Sequence, residues 1–285
     1  MDIETKNLTF EYEPGTNMSV KAVDDLSFTI PSGQFLGIVG HTGSGKTTLV
    51  QLLDGLIKPT AGTVLLGGED IFAKKYDRKK LRAKVGIVFQ YPEYQLFETT
   101  VLKDVCFGPV NMGLSKEEAE EKAKEALRKL GVDEKLFEAS PFELSGGQKR
   151  RVAIAGVVSM NPEIIILDEP TAGLDPAGRE EVLGLLSNLH KDGMTVILVS
   201  HSMEDVAEYV ERILVMDAGK VVIDAPPKEV FTHKEQLEGI GLALPEVTYL
   251  MHSLKNAGFD VDTTAITVEE AVREILLKYR PKKSE

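Results

Sequence analysis

The sequence predicts an α/β fold built on a mainly parallel β-sheet. Four largely apolar runs, at 35–39, 84–89, 163–168 and 195–199, have the length and continuity of buried strands. Helical patterns separate them, and three of the four runs lead directly into polar side chains. Because the carboxyl ends of parallel strands meet at one edge of a sheet, where such folds bind ligands, this pattern also predicts where the functional site lies.

The first of these strands leads into a phosphate-binding loop. Residues 40–47 fit G-x-x-x-x-G-K-[ST], and the helical run 48–53 that follows supplies the required strand–loop–helix context; a chance glycine-rich turn is the alternative. Its glycines allow positive φ and close backbone approach, so that backbone N–H groups bind phosphate oxygens. We expect Lys46 to reach the β- and γ-phosphates and Thr47 to ligate Mg²⁺. The predicted nucleotide-binding residues of this segment are Gly40, His41, Thr42, Gly43, Ser44, Gly45, Lys46, Thr47 and Thr48.

An N-terminal β-layer precedes this loop. Leu8, Phe10 and Tyr12 alternate with polar residues, as do residues 26–30, which predicts two half-buried strands. The Tyr12 ring lies just upstream of the phosphate-binding loop and could stack on adenine. Ordinary packing within the sheet is the alternative for this tyrosine.

Polar residues at the other strand ends are candidates for catalysis and metal binding. Asp168 is placed to hold Mg²⁺, and Glu169 is free to polarise the attacking water. Gln90 and His201 follow neighbouring strands, and His201 could contact the γ-phosphate or orient the water; a structural role is its alternative. The predicted catalytic residues are Glu169, His201 and Gln90, and the predicted metal ligands are Thr47, Asp168 and Gln90.

A helical subdomain is predicted between the second and third of these strands. Residues from about 91 to 160 show helical character and no strand signal, although the periodicity is lost from 91 to 113. Ser115 opens a capping box. Ser145 is expected to cap another helix, where Gly146 and Gly147 leave the first N–H groups open to an anion; a plain helix start is the alternative.

Turn and helix signals organise the remainder of the chain. Residues 172–176 predict a turn into a helix over 177–191, and Ala218-Gly219 predicts a hairpin. A boundary near 235 is followed by two helical patterns, around 245–257 and 267–279, and a polar tail at 281–285.

Composition excludes several classes of function. The 285 residues carry a formal net charge of −12, which argues against a nucleic-acid partner; the lysine-rich run 74–80 is expected to be a solvated helix face. A single cysteine, Cys106, excludes an intrachain disulfide and fits a reducing compartment. No apolar run is long enough to span a bilayer and the N-terminus does not resemble a signal peptide, so we expect the chain to stay in the cytoplasm.

Six features in a fixed order resemble the ATP-binding cassette (ABC) ATPases. They are the loop at 40–47, Gln90, the signature segment Leu144–Gln148, the strand 164–169 with its two acids, Leu174-Asp175 and His201. The resemblance covers about residues 1–235 and implies a P-loop (RecA-like) ATPase using ATP and Mg²⁺. It also implies that Tyr12 stacks on adenine and that Ser145, Gly147 and Asp175 take part in nucleotide binding.

A narrower resemblance concerns the segments Gln90–Phe97 and Val101–Pro109. They are similar to the ATPases of energy-coupling factor (ECF) transporters, closer to the second of the two paralogous ATPases. Residues 236–285 resemble that family's C-terminal dimerisation extension. The resemblance implies a paralogous or identical ATPase partner, a transmembrane coupling subunit seated in a groove at Gln90–Glu98, and a separate substrate-binding membrane protein.

The resulting hypothesis is an ATPase subunit that powers micronutrient uptake, peripheral on the cytoplasmic face of the cell membrane. If the signature segment faces away from its own P-loop, two protomers must sandwich two ATP molecules. Glu93 and Glu98, beside exposed aromatic residues, predict a groove with an anionic rim, and the ECF resemblance implies that arginines of the membrane partner bind there. Acids that merely solubilise an irregular loop are the alternative. The alternatives are the ATPase of another ABC importer, a soluble ABC mechanoenzyme and a non-catalytic nucleotide-binding regulator.

Overall fold

The computed structural model describes residues 1–279. The strands are β1 (Ile3–Tyr12), β2 (Val20–Ile30), β3 (Phe35–Val39), β4 (Ala61–Leu66), β5 (Glu69–Asp70), β6 (Val85–Val88), β7 (Ile164–Asp168), β8 (Thr195–Val199), β9 (Arg212–Asp217) and β10 (Lys220–Ala225). The helices are α1 (Lys46–Leu53), α2 (Arg78–Lys84), α3 (Val101–Met112), α4 (Lys116–Lys129), α5 (Gly146–Val158), α6 (Pro176–Lys191), α7 (Met203–Tyr209), α8 (Pro227–Val230), α9 (Lys234–Gly239), α10 (Glu246–Asn256) and α11 (Val268–Tyr279). Three 3₁₀ turns lie at Pro92–Gln95, Glu134–Leu136 and Pro141–Glu143.

The strands form two sheets. The central sheet has the order β10-β9-β3-β8-β7-β6, and its neighbouring strands are parallel except for the antiparallel pair β10 and β9. The second sheet, β2-β1-β4-β5, is antiparallel. The predicted fold class, a mainly parallel sheet with an N-terminal antiparallel layer, is therefore confirmed.

The central sheet is buried on both faces. In β3, Phe35 and Val39 belong to one hydrophobic core, and the alternating residues Leu36 and Ile38 belong to another. This alternation follows from the two-residue period of a strand, and it explains why the strand sequences are continuously apolar. Consequently these strands can contribute polar side chains to a functional site only at their ends.

The segment between β6 and β7 is helical throughout its regular structure within the described chain. Helix α3 is not predicted by the sequence pattern, because Pro109 lies inside it and interrupts the helical signal. Burial of Val101, Leu102 and Val105 against α4 and α5 compensates for the backbone hydrogen bond that Pro109 cannot make. The predicted capping box of Ser115 with Glu118 is confirmed at the start of α4.

Two expectations for the first hundred residues need correction. The lysine-rich run is helical only from Arg78, where the Asp77 side chain accepts a hydrogen bond from the Lys79 N–H (2.8 Å); residues 74–77 precede the helix. Strand β2 begins at Val20, well before the predicted alternation at 26–30, because its pairing with β1 continues through three register shifts that break the period of two.

The chain after β10 contributes to two different cores. The sequence pattern does not predict helices α8 and α9. These helices and the segment after them bury side chains in the core of the central sheet. The buried residues are Val230, Phe231, Leu237, Leu242 and Leu244. A separate small core joins α10 and α11 through Met251, Val261, Ala265 and Ala271. The domain limits 1–235 and 236–285 stay a prediction; Ile266, between α10 and α11, still belongs to the core of the central sheet. The predicted tail at 281–285 lies outside the described residues.

A buried carboxyl group at the end of α1 makes stability depend on pH. The Asp54 side chain is 0% exposed, and burial raises its pKa to about 6 from the ordinary 3.8, against the opposing effect of its ion pair with Arg82. Because the folded state holds this proton more tightly than the unfolded chain, stability decreases as the pH rises between about 4 and 6. The Oδ1 atom of Asp54 has no hydrogen-bond partner among the described residues.

We therefore expect Asp54→Asn to gain stability relative to the wild type as the pH rises. Between pH 5 and 8 the difference in the free energy of unfolding should shift in favour of the variant by about 1–2 kcal/mol, at about 1.36 kcal/mol per pKa unit. Urea unfolding at the two pH values measures this shift. Arg82→Gln, which removes the neighbouring cation, should lose stability at pH 8. A stability difference between Asp54→Asn and the wild type that does not change with pH would contradict the raised pKa of Asp54.

Candidate functional site

A cleft of about 1280 Å³ lies at the edge of the central sheet where β3, β7 and β8 end. Side chains from separate parts of the sequence meet in it, as the strand-end argument predicts. The predicted residues that line it are Tyr12, Gly40, His41, Thr42, Gly43, Gly45, Lys46, Thr47, Thr48, Gln90, Asp168, Glu169 and His201.

The P-loop wraps around the start of α1. Gly45 has a φ of 103°, in the left-handed region, and a Cβ there would collide with the Ala22 carbonyl oxygen. Gly40 does not have a positive φ, which corrects the expectation for this position. Glycine is required at 40 because a side chain would collide with the Met216 carbonyl oxygen and the Ser44 Oγ. Ser44 itself is buried under the loop, outside the cleft lining.

The Lys46 ammonium bridges the loop. Its Nζ donates hydrogen bonds to the carbonyl oxygens of Gly40 (2.7 Å) and His41 (3.0 Å). Burial lowers the pKa of Lys46, while the carboxylates of Glu169 and Asp168 raise it. A cation held over this loop is suited to binding an anionic phosphate chain.

Oxygen ligands for a hard cation meet beside Lys46. The Thr47 hydroxyl donates a hydrogen bond to Asp168 Oδ2 at 3.1 Å. Burial raises the pKa of Asp168, and the Thr47 hydrogen bond and the Lys46 charge oppose this shift. A hydroxyl, a buried carboxylate and the Gln90 amide face the same cleft, and this donor set fits Mg²⁺.

Glu169 and His201 form a pair at the ends of β7 and β8. The His201 Nδ1 lies 2.7 Å from Glu169 Oε2, and Glu169 adopts a φ of 52° in the left-handed region. Burial raises the pKa of Glu169, whereas His201 lowers it. This carboxylate is oriented by a histidine and faces the cleft, so it is suited to accept a proton from water.

Tyr12 lines the other end of the cleft. Its hydroxyl lies 3.1 Å from Thr48 Oγ1 on α1, and its ring contacts the Phe10 ring edge to face at a centroid distance of 4.8 Å. These two contacts fix the orientation of the tyrosine relative to the P-loop. The stacking of Tyr12 on adenine stays a prediction.

The His41 side chain turns away from the loop interior. Its Nε2 lies 2.9 Å from Asp217 Oδ1, and its Nδ1 lies 2.7 Å from the Thr42 carbonyl oxygen. The imidazole is therefore engaged with β9, and the backbone of His41 is the part that faces the loop interior.

Besides Ser44, three predicted nucleotide-binding residues lie outside this cleft. Ser145 caps α5 through a capping box with Gln148, and Gly147 lies in the first turn of that helix. Asp175 caps α6 by accepting a hydrogen bond from the Gly178 N–H (2.8 Å). The structure thus brings the P-loop and strand-end residues together and leaves the signature segment elsewhere in the protomer.

Sequence reasoning missed seven residues that also line the cleft. They are Val20, Lys21, Ala22, Ala218, Gly241, Leu242 and Ala243. The hairpin turn reaches the P-loop because Gly219 donates a hydrogen bond to the Ser44 carbonyl oxygen (3.0 Å) and accepts one from the Asp24 N–H (2.9 Å). The predicted Ala218-Gly219 turn signal marks this hairpin but does not show that the hairpin lies against the P-loop. The remaining missed residues belong to no sequence motif that would indicate nucleotide binding.

An apolar groove separates α2 from the helical segment. It has a volume of about 790 Å³, and its lining includes Gln95, Leu96, Phe97, Phe107, Val157 and Met160. Phe97 and Phe107 are 56% and 48% exposed and contact each other edge to face at a centroid distance of 4.9 Å. Large exposed aromatic side chains in a groove are typical of a site that binds a partner.

The predicted anionic rim of this groove needs correction at Glu93. Glu93 is bound to Arg150 rather than free, and the acid that lines the groove is Asp104. The basic residues of α2 line the opposite side; they are Arg78, Lys79, Lys80 and Arg82. Strand β6 separates this helix from the segment 90–98, so the composition of that segment alone could not reveal the charge of the groove. Of the predicted groove segment, Gln95–Phe97 line the groove and Gln90 lines the nucleotide cleft.

Comparison with known proteins agrees with this geometry. Residues 23–172 match the ABC transporter family. The energy-coupling factor transporter ATP-binding protein EcfA2 of Clostridium tetani (strain Massachusetts / E88) is 54% identical over 278 residues, covering 97% of this chain and 96% of that protein. The chain belongs to the EcfA2 family. A second EcfA2, from Caldanaerobacter subterraneus subsp. tengcongensis, is 50% identical over 280 residues and 98% of both chains. The resemblance to the second of the two paralogous ECF ATPases is confirmed.

Solved structures extend the likeness of this EcfA2-family chain to three dimensions. The structure of cbiO1 from Clostridium perfringens, described as part of the ABC transporter complex cbiONQ, has a TM-score of 0.74 and 40% identity, covering 88% of this chain and 98% of that one. A dimeric post-hydrolysis state of the ATP-binding cassette MJ0796, bound to ADP and Pi, has a TM-score of 0.69 and 32% identity, with 79% and 98% covered. The EcfA2-family chain is thus an ATP-binding, ATP-hydrolysing transporter subunit with the ABC cassette fold.

Proposed function

We propose that this chain powers the uptake of a micronutrient, a vitamin or a metal ion, through an ECF-type transporter on the cytoplasmic face of the cell membrane. ATP closes a dimer of ATPase subunits, and hydrolysis reopens it. A transmembrane coupling subunit receives this motion, and a separate membrane protein selects the substrate. None of the helices in the described residues has the length and apolar character to cross a bilayer.

The division of the nucleotide-binding residues between two places carries this proposal. Lys46, Asp168 and Glu169 line one cleft, whereas Ser145 lies outside it at the exposed start of α5. A helix N-terminus of this kind binds anions. A second protomer that presents its own α5 to this cleft would complete the site, and ATP would hold the two together.

Within each site, we assign Thr47, Asp168 and Gln90 to Mg²⁺. When bound, the ion neutralises charge on the phosphates. Glu169 accepts the proton of the attacking water, and His201 holds the carboxylate in position through the 2.7 Å contact. Lys46 binds the terminal phosphates, and Tyr12 supports the adenine.

The last helix supports dimerisation through the C-terminal extension. Val268, Val272 and Leu276 recur every four residues on α11 and are exposed, so they form an apolar face that the chain itself does not cover within its described residues. A paralogous ATPase or a second copy of this chain is the partner that we propose for this face.

The apolar groove is the site that we propose for the coupling subunit. A short amphipathic helix can place its apolar face on Phe97 and Phe107 and a basic side chain near Asp104. Glu98 is half-buried and forms no ion pair among the described residues, so its part in this contact stays a prediction.

Purification of the complex tests the proposed function and the groove together. Wild-type chain isolated from detergent-solubilised membranes should carry its ATPase partner and the membrane subunits. Phe97→Gln should weaken association with the purified membrane component by about tenfold or more, because it removes an aromatic anchor. Phe142→Gln is a matched control, since Phe142 is 65% exposed outside the groove.

The outcomes separate the two parts of the proposal. Failure to recover any membrane protein with the wild-type chain would overturn the transport role. Recovery of the wild-type complex with undiminished binding of Phe97→Gln would show that the coupling subunit binds elsewhere on the ATPase.

A further inference from the structure

Arg150, on α5, has the largest of the fully buried side chains in the described chain and is only 1% exposed. A buried guanidinium costs several kcal/mol unless its charge and its N–H groups are paired. Arg150 satisfies this requirement with contacts to two functional segments at once. Neither segment is close to Arg150 in sequence.

The first segment is the one between Gln90 and the groove. Arg150 Nε and Nη2 donate to the two carboxylate oxygens of Glu93 at 3.0 and 2.6 Å, and the Glu93 side chain is 15% exposed. The Arg150 Cζ lies 6.0 Å from the centroid of the Tyr91 ring, and Tyr91 has a φ of 54°. Arg150 therefore fixes the 3₁₀ turn Pro92–Gln95, which leads directly into the groove residues Leu96 and Phe97.

The second segment is the turn that follows Glu169. Arg150 Nη1 donates hydrogen bonds to the carbonyl oxygens of Pro170 (2.9 Å) and Ala172 (2.7 Å). The Ala172 N–H in turn donates to the Glu169 carbonyl oxygen (3.1 Å). Glu169 is held in the left-handed region, so its backbone needs support from its neighbours. Its own N–H donates to the Val199 carbonyl oxygen (3.0 Å), and the Arg150 guanidinium holds the turn that follows it.

Only arginine can make this set of contacts. Its planar guanidinium binds a carboxylate through two parallel N–H groups while a third nitrogen remains for the carbonyl oxygens. A lysine in its place would keep the positive charge, but it would lose the simultaneous contact with Glu93 and the turn after Glu169.

We propose that Arg150 is a positioning residue that links the groove to the hydrolytic carboxylate. The same side chain also ties both segments to α5, whose exposed N-terminus is Ser145. Occupation of the groove moves the Pro92–Gln95 turn, Arg150 carries this movement to the turn after Glu169, and the rate of hydrolysis changes. The part that concerns the groove rests on the proposed coupling function, whereas the support of Glu169 does not.

The test uses Arg150→Lys in the complete transporter complex, with the KM for ATP, the kcat and the substrate molecules transported per ATP as readouts. A misplaced carboxylate should lower kcat by about 10- to 100-fold while KM stays within about twofold, because the P-loop and Lys46 are unchanged. Transport per ATP should fall as well. Arg151→Lys is the matched control: it is the next residue of α5 and pairs with Glu181 on α6.

Glu93→Gln keeps the proposal falsifiable if Arg150→Lys does not assemble. It leaves the guanidinium on Pro170 and Ala172 and weakens only the groove side, so transport per ATP should fall more than kcat does. Unchanged kcat and unchanged transport per ATP in the assembled variants would overturn the proposal, and so would a parallel change of KM and kcat. Failure of the proposed coupling function would instead appear in the wild type, which would hydrolyse ATP without membrane partners. In that case the kcat of the Arg150→Lys ATPase dimer would still test whether Arg150 supports Glu169.

Discussion

Replacement of Glu169 by Gln is expected to reduce ATP hydrolysis by about 10²–10⁴-fold while leaving ATP binding intact. The amide keeps the size of the side chain and an oxygen to face His201 Nδ1, 2.7 Å away in the wild type, but it cannot take a proton from water. Single-turnover hydrolysis and equilibrium nucleotide binding, measured on the assembled complex, report the two effects separately. In the proposed cycle closure requires only binding, so the variant should also accumulate as an ATP-bound dimer.

Lys46→Ala provides the contrasting variant. Removal of the ammonium that bridges Gly40 and His41 should weaken nucleotide binding itself, since a charged hydrogen-bonding group is worth about 1.5–3 kcal/mol. Turnover of Glu169→Gln within about threefold of the wild type would remove this carboxylate from the catalytic role.

The second large effect is expected when Ser145 is mutated in one chain of a dimer, and it should appear at the ATP site built on the other chain's P-loop. In a dimer of one Ser145→Arg chain and one intact chain, the ATP site that holds the intact chain's P-loop should lose hydrolysis by about 10²-fold or more. In the proposed arrangement this site requires the helix N-terminus that the arginine would block, whereas the mutated chain's own P-loop should bind nucleotide normally. Two differently tagged chains and nucleotide photo-crosslinking measure each site by itself.

Ser115→Arg controls for the loss of a helix cap. Ser115 and Ser145 make equivalent capping boxes at the starts of α4 and α5, so each substitution removes about 0.5–2 kcal/mol of helix stability. The Ser115 variant should keep both sites active. Loss of nucleotide at the Ser145 variant's own P-loop would contradict the arrangement between protomers.

Local patterns in the sequence were sufficient for most of the nucleotide cleft. A continuous apolar strand is buried on both faces, so its polar end has to lie at the sheet edge, and this argument brings Gln90, Asp168, Glu169 and His201 to the P-loop without knowledge of the topology. The capping boxes of Ser115 and Ser145 are also local, because each is formed within four residues. These features depend on the backbone and on near neighbours.

The features that the sequence did not reveal depend on contacts between distant segments. Helix α3 has a weak local signal because of Pro109, and it is stabilised by packing against α4 and α5. Gly241–Ala243 reach the nucleotide cleft because Leu242 and Leu244 are anchored in the core of the central sheet. Neither the helix nor the loop follows from the polarity pattern of its own residues.

The sequence by itself thus determined the family, the fold class and the identity of the residues around the P-loop, because a phosphate-binding loop and buried strands require particular residues at fixed spacing. Only the tertiary structure decided the role of Glu93. In the sequence it is an acid in an irregular segment beside aromatic residues. In the fold, Arg150 arrives from 57 positions away and binds both of its carboxylate oxygens. Which charged side chains pair depends on their distance in the fold and on the cost of burying an unpaired charge. Neither the distance nor the burial can be read from the sequence pattern alone.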